Sequence, residues 1–171
     1  MVAKNTIQQS QPRSGEMLHL VFLRHREMRK IRIKIMTDDK DVILPEYKTK
    51  DSAGCDLVNM GESVKLYPLD RASFPTGVHI QLPEGYEAQV RGRSGLNRKN
   101  GIVCPTGTID ADYRGEIGVV LYNLSREPVT IMHGDRIAQL VISPVIQADW
   151  QQVDHLDKTD RGEGGFGSTG K

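Results

Sequence analysis

Short runs of alternating hydrophobic and polar residues, the pattern of half-buried β-strands, recur along the chain from Lys30 onward. In residues 31–35, isoleucine occupies every second position and basic residues lie between. Residues 117–122 form a more continuous apolar run, which predicts a buried strand. Residues 133–135 (HGD) separate two strand patterns and predict a hairpin loop. The predicted strands are residues 31–35, 64–67, 78–82, 86–90, 117–122, 129–132 and 137–142.

Short strands at nearly regular spacing are typical of an all-β sandwich or barrel. No stretch sustains the 3.6-residue period of a long helix, so the pattern allows at most a single short one. The 17 glycines and 8 prolines fit a chain with many turns. A length of 171 residues predicts one domain.

The two ends of the chain differ from the part between them. Residues 1–27 are expected to be an extension outside the fold, because residues 2–15 are polar and favour disorder. Met28 is an alternative start of translation. The β domain is then predicted to cover residues 28–150, followed by a polar, glycine-rich arm at residues 151–171 that is mobile without a ligand.

Charge and cysteine content exclude some classes of function. Lys and Arg number 23 and Asp and Glu number 22, so the chain lacks the basic excess of a protein that binds nucleic acid. No apolar run approaches the roughly 18 residues of a membrane span. Cys55 and Cys104 match no zinc spacing and are expected to be reduced thiols, which favours a cytoplasmic protein, or a host-intracellular one if it is viral.

Residues 91–96 (RGRSGL) combine glycines, arginines and a hydroxyl group. Glycine lets backbone amides approach a ligand closely, and arginine adds charged donors, so the segment suits phosphate oxygens. An ordinary glycine-rich turn is the alternative. The order of residues is not that of a Walker motif.

Residues 107–116 (GTIDADYRGE) place three carboxylates, a tyrosine and an arginine between glycines. If the segment is extended, Asp110 and Asp112 lie on one face. One of these carboxylates could hold and deprotonate a water molecule. A charged hairpin, with Arg114 paired to Glu116 or Asp112, is the alternative.

Three further segments have open interpretations on their own. Residues 52–57 (SAGCDL) fit a tight turn before an aspartate. In residues 134–140 (GDRIAQL), Asp135 and Arg136 are expected to stabilise a turn. Residues 161–170 (RGEGGFGSTG) could stack on a base and bind phosphates, or form a flexible linker.

Together these segments resemble the five motifs of the trimeric dUTPase family, and the resemblance covers most of the chain beyond the N-terminal extension. The third and fifth motifs are highly specific, and all five occur in the family's order. In chain order they are AGCDL (53–57), RSG (93–95), GTIDADYRGE (107–116), GDRIAQL (134–140) and RGEGGFGSTG (161–170).

The resemblance implies a jelly-roll-like (β-clip) all-β fold and a homotrimer with active sites between subunits. The C-terminal arm of one chain would close over a site formed by others. The implied reaction is Mg²⁺-dependent hydrolysis of dUTP to dUMP and pyrophosphate, which limits uracil in DNA and supplies dUMP for thymidylate synthesis.

The same resemblance implies residue roles. Asp110 would activate the attacking water, Tyr113 would pack under deoxyribose and exclude a 2′-hydroxyl, and Asp56 would touch the magnesium shell through water. Contacts to phosphates are implied for Arg93, Ser94, Gly95, Gln139, Arg161, Gly167, Ser168 and Thr169, and contacts to uracil for Gly107, Thr108, Ile109, Gly118 and Phe166.

The chain departs from the family pattern at two positions. Cys104 stands where some members carry an asparagine that pairs with uracil, and a thiol is a weak hydrogen-bonding group. We therefore expect backbone groups to recognise uracil. Gly92 stands where proline is common.

Two alternative functions remain open on the sequence. A dCTP deaminase shares the fold, although it needs a carboxylate and water at the base. A dUTP-gated interaction protein is the other, with residues 1–27 as a handle for a partner.

Overall fold

The computed structural model describes residues 30–165, which form short strands and one short helix. The predicted all-β class is therefore confirmed. The elements are β1 Lys34–Thr37, β2 Gly54–Val58, β3 Val64–Leu66, β4 Arg71–Phe74, β5 Val78–Gln81, β6 Tyr86–Gly92, α1 Ser94–Asn100, β7 Ile102–Val103, β8 Gly107–Ile109, β9 Val119–Asn123, β10 Val129–Ile131 and β11 Arg136–Pro144.

The largest sheet is antiparallel and has the strand order β2-β11-β6-β8. Its centre is β11, which pairs with β2 on one side and with β6 on the other. A second sheet has the order β4-β9-β7, and two strand pairs, β1-β5 and β10-β3, complete the described fold. Three strands distant in sequence thus lie side by side in the large sheet.

The hydrophobic core collects buried side chains from strands of all four sheets, and strands with a period of two turn one face toward it. In β5, Val78 and Ile80 are buried, whereas His79 between them is only partly so. Phe74 and Leu121 join the same core and are almost completely buried. Burying each side chain of this size contributes about 1.5–3 kcal/mol, so alternation fixes the inward face of each strand.

The hairpin prediction at residues 133–135 was only partly correct. A tight turn is present, in which the Asp135 carboxylate accepts the Met132 amide at 2.8 Å. However, β10 pairs with β3 and β11 pairs with β2 and β6, so the flanking strands lie in different sheets. Hydrophobic periodicity specifies which face of a strand is buried, but it does not specify which strand lies beside it in a sheet.

The chain after β11, which includes the first part of the predicted arm, leaves large apolar side chains in solvent. Ile146, Trp150 and Leu156 are 97%, 90% and 84% exposed. Residues 1–27 lie outside the described part of the chain, as do the predicted ligands Phe166, Gly167, Ser168 and Thr169. Between residues 30 and 165, no helix is long and apolar enough to cross a membrane.

Candidate active site

The segments predicted to bind phosphates meet at an open cleft of about 390 Å³. Strand register explains their meeting, because Gln139 of β11 lies opposite Asp56 of β2 and opposite Arg91 of β6. Residues opposite one another in a sheet project from the same face. The cleft is lined by Lys48, Ser52, Ala53, Gly54, Asp56, Arg93, Ser94, Gly95, Arg136 and Gln139.

Asp56 fixes two guanidinium groups at this cleft. Its Oδ1 lies 3.1 Å from Nε of Arg93, and its Oδ2 lies 3.0 Å from a terminal nitrogen of Arg136. Arg93 also donates to the Arg136 carbonyl oxygen at 2.8 Å. The carboxylate side chain is only 15% exposed, so both ion pairs are partly shielded from water. The arrangement preorganises two arginines as anion ligands.

Gln139 is held beside them by the backbone. Its amide nitrogen donates to the Gly92 carbonyl oxygen at 3.1 Å. Gly54 on the neighbouring strand makes room for this side chain, because a Cβ there would lie 2.7 Å from Gln139 Oε1. Ser94 and Gly95 begin α1 one residue after the end of β6, and Gly101, with a φ of 66°, caps the C-terminal end of this helix.

Two cleft residues were missed by sequence reasoning. Arg136 was expected to stabilise its own turn, but its side chain reaches Asp56 on β2. Its position inside the segment at residues 134–140 was the available signal. Lys48 lies outside every glycine-rich segment and carried no signal; its ammonium is 2.5 Å from the Glu46 carboxylate.

The segment at residues 107–116 has a different local structure from the extended form considered above. After β8 the chain turns, with the Tyr113 amide donating to the Asp110 carbonyl oxygen at 3.2 Å. The two aspartates therefore do not share the face of a strand. Arg114 pairs with neither predicted carboxylate and donates to the carbonyl oxygens of Ala111 and Tyr113, both at 2.7 Å.

The C-terminal end of this loop is also fixed. We define residues 110–116 as the catalytic loop, because the predicted general base Asp110 lies in it. The Glu116 carboxylate accepts the Gly77 amide at 2.7 Å, and the Tyr113 hydroxyl donates to the Glu116 carbonyl oxygen at 3.0 Å. Asp110 itself is exposed, and the Tyr113 side chain is 44% exposed. Both side chains are accessible to a ligand.

The predicted uracil-binding segments approach from two sheets. Residues 107–109 are β8, which pairs with β6, whereas Gly118 precedes β9 in the other sheet. They do not form a hairpin of paired strands. Thr108 and Gly118 are exposed, so backbone groups at both segments can meet a ligand.

Cys104 lines a second cavity of about 300 Å³ together with Gly92, Arg93 and Asn97. The two departures from the family pattern are thus neighbours, and a Cβ at Gly92 would lie 3.5 Å from that of Cys104. Burial raises the pKa of the Cys104 thiol, which keeps it neutral at physiological pH.

The catalytic loop and the phosphate cleft of one chain are far apart. Ile109 precedes Asp110 and lies opposite Ala88 of β6. Ala88 is five residues before Arg93, which directly follows β6. At roughly 3.3 Å per residue, this separation is about 16 Å. Arg161 does not line the cleft either; its Nε donates to the Gly164 carbonyl oxygen within the arm at 2.8 Å.

Comparison with known proteins agrees with this geometry. Residues 40–170 match the family model described as dUTPase. A deoxyuridine 5'-triphosphate nucleotidohydrolase from Fusobacterium nucleatum is 47% identical over 147 residues, which are 84% of this chain and 100% of that relative.

Solved structures are similar as well. A mutant dUTPase of Staphylococcus bacteriophage 80alpha, solved with dUpNHpp, has a TM-score of 0.76 at 30% identity and covers 83% of this chain and 100% of its own. A mutant dUTPase of S. aureus phage phi11, solved to describe a structural Mg(II) ion, has a TM-score of 0.69 at 27% identity, covering 75% and 100%. The motifs, the fold and the match across residues 40–170 together show that this chain belongs to the dUTPase family.

Proposed function

We propose that the protein hydrolyses dUTP to dUMP and pyrophosphate, limiting uracil in DNA and supplying dUMP for thymidylate synthesis. The observation that carries the proposal is the cleft in which Asp56 fixes Arg93 and Arg136. With Lys48, the cleft presents three cationic side chains and one carboxylate. This excess of positive charge complements a triphosphate.

Asp110 is the proposed general base. Its exposed carboxylate would hold a water molecule and accept a proton from it. The water oxygen would form a bond to the α-phosphorus while the bond from that phosphorus to the bridging oxygen breaks, releasing pyrophosphate. Phosphoryl transfer of this kind depends mainly on positioning and on neutralisation of charge.

Nucleoside recognition is assigned to the segments around the same loop. Tyr113 would pack under deoxyribose and leave no space for a 2′-hydroxyl. Its hydroxyl is already bonded to the Glu116 carbonyl oxygen, which fixes the ring for this role. Backbone groups of residues 107–109 and of Gly118 would bind the uracil edge.

Magnesium fits this site as an ion held mainly by substrate. Within residues 30–165, no three His, Cys, Asp or Glu side chains form a metal-binding cluster. Asp56 offers the oxygen chemistry that Mg²⁺ prefers, and its engagement with two arginines suits a contact through water. When bound, the ion would neutralise phosphate charge and restrict the conformation of the triphosphate.

A homotrimer with shared sites is proposed on two observations. The separation of about 16 Å between the catalytic loop and the cleft of one chain supports a site that a second chain completes. The exposed Ile146, Trp150 and Leu156 favour an arm that packs on a neighbour. Arg161 and residues 166–169 would then bind phosphates and cover uracil in that neighbour's site.

Replacing Asp110 with asparagine tests the proposal. We expect Asp110→Asn to lower kcat for pyrophosphate release from dUTP by at least about 100-fold, because the general base is lost. Calorimetric affinity for a non-hydrolysable dUTP analogue should stay within a few-fold. Asp112→Asn, an exposed carboxylate of the same turn, is the matched control and should keep most activity.

The same assay distinguishes hydrolysis of dUTP from deamination of dCTP. Wild-type protein is incubated with dUTP or dCTP, and pyrophosphate and ammonia are both measured. Ammonia from dCTP would favour a deaminase, and near-normal turnover by Asp110→Asn would refute the assignment of the base.

A further inference from the structure

The imidazole of His79 joins two parts of the molecule that are distant in sequence. His79 lies in β5 opposite Met36 of β1. Its Nδ1 is 3.0 Å from the Arg114 carbonyl oxygen of the catalytic loop, and its Nε2 is 2.9 Å from Asp38 Oδ1. The imidazole is 17% exposed, so solvent screens these contacts only in part.

Both partners of this ring act as acceptors. A backbone carbonyl oxygen has no proton to donate, and neither has an ionised carboxylate. Each ring nitrogen must therefore carry a hydrogen if both bonds are to form. A neutral imidazole has one N–H and can make one of them, so the observed geometry fits the imidazolium cation.

The charges around His79 favour the same cation. The carbonyl oxygen of Arg114 raises the pKa of His79 most. Burial is the next-largest effect and lowers it, and the carboxylates of Asp38 and Glu116 raise it further. Lys34 lies on the same face of β1 as Met36, but it is opposite Gln81, which is two residues from His79 along β5. The Arg114 guanidinium is bound to carbonyl oxygens of its own loop.

The bond from His79 acts at the middle of a loop that is otherwise held at its C-terminal side. There, the Glu116 carboxylate accepts the Gly77 amide, and the Ile117 amide donates to the Val78 carbonyl oxygen at 2.8 Å. Between these contacts and Asp110, the Arg114 carbonyl oxygen is the point at which a side chain from β5 holds the loop.

We propose that His79 is a positioning residue that, as an imidazolium bridging Asp38 and the Arg114 carbonyl oxygen, holds the catalytic loop in the geometry that places Asp110 and Tyr113. The proposal rests on the proposed dUTP hydrolysis. His79 itself touches no reacting atom.

The direction of the pH dependence follows from the protonation state. The bridge is complete at a pH below the raised pKa of His79. It loses one of its two hydrogen bonds as the pH rises through that value. Turnover should therefore lose the contribution of His79 at alkaline pH.

The experiment measures kcat and KM for dUTP between pH 5.5 and 9 with the full chain. His79→Gln keeps one side-chain donor and stays neutral at every pH. We expect wild type to exceed His79→Gln in kcat by about fivefold at pH 6, with the ratio approaching one above pH 8.5. His133→Gln is the matched control, because His133 also bonds a carbonyl oxygen, that of Gly61, and should show the wild-type profile.

A second variant keeps the ring and changes its partner. Asp38→Asn should lower the pKa of His79, measured by NMR from the pH dependence of its Cε1–H signal, and move the alkaline midpoint of the kcat–pH profile, compared directly with wild type, to lower pH by the same amount. This variant also covers the case in which His79→Gln fails to fold. A constant wild-type to His79→Gln ratio across pH would overturn the proposal. So would a kinetic midpoint that stays in place while the NMR pKa falls.

Failure of the proposed function is distinguishable from failure of this inference. No pyrophosphate from dUTP by wild type at any pH would count against the function itself. The NMR titration would still report whether His79 is an imidazolium at neutral pH.

Discussion

Single atoms determine the shape of the phosphate cleft, and Gly54 is the most direct example. We expect Gly54→Ala to raise KM for dUTP by about threefold to tenfold, because the new Cβ would lie 2.7 Å from Gln139 Oε1 and displace that side chain. The change in kcat should be small, since the general base lies elsewhere. Steady-state kinetics of dUTP hydrolysis provides the measurement.

A double-mutant cycle with Gln139→Ala is the control for this effect. If Gly54→Ala acts through Gln139, the two changes should be strongly non-additive in KM. Full additivity would mean that the effect comes from the other two close neighbours of the new Cβ, both at 3.2 Å: the Cβ of Gln139, which alanine keeps, and the Val141 side chain.

At the scale of single residues, the sequence predicted which residues contact a ligand better than it predicted which residues contact one another. Arg93 and Gln139 were predicted to contact phosphates, and Asp56 to touch the magnesium shell through water. The structure places all three in one cleft. The Asp56–Arg136 pair was not predictable, because it depends on the register between β2 and β11. The bond of His79 to the catalytic loop was likewise invisible, since the two residues are 35 positions apart.

Among the elements, the junction that follows α1 provides a test of stability. Gly101 ends the helix with a φ of 66°, and a Cβ there would lie 2.7 Å from the Cβ of Ser125. Gly101→Ala should therefore lower the free energy of unfolding through both backbone strain, about 1–2 kcal/mol, and a clash that costs about 1–3 kcal/mol more. Urea denaturation at fixed protein concentration measures the loss.

Gly85 offers the matched control for that prediction. Its φ of 77° is also left-handed, but no atom lies within 4 Å of the position of an added Cβ. Gly85→Ala should lower the free energy of unfolding through the backbone strain alone. Equal losses for the two variants would contradict the contribution of Ser125.

Elements were predictable from periodicity where a strand has one buried face, as residues 78–82 show. The first strand was less well predicted: β1 begins at Lys34 and not at residue 31, and Ile35 is 45% exposed, because within residues 30–165 β1 is an edge strand that pairs with β5 alone. Strand partners could not be predicted, since alternation specifies a face and not a neighbour.

At the scale of the whole molecule, the proposed site combines the cleft, the catalytic loop and the C-terminal arm. Within a chain, the register of β6 and β8 directs the catalytic loop away from Arg93. An arrangement in which each site takes its cleft from one subunit and its loop from another resolves this separation. Each chain of a homotrimer would then contribute to more than one site.

Complementation between inactive chains tests this arrangement. Arg93→Gln should be inactive through its cleft, and Asp110→Asn through its loop, each as a homotrimer. Co-refolding equal amounts should restore about one quarter of wild-type turnover, because half of the clefts and, independently, half of the loops in mixed trimers are intact. Light scattering confirms the size of the mixed assemblies, and pyrophosphate release measures their turnover.

The control is a chain that carries both substitutions, mixed with an equal amount of wild type. One quarter of its sites should be intact if cleft and loop come from different subunits, and one half if they come from the same subunit. No recovery in the first mixture together with one half in the second would show that each chain builds its own site.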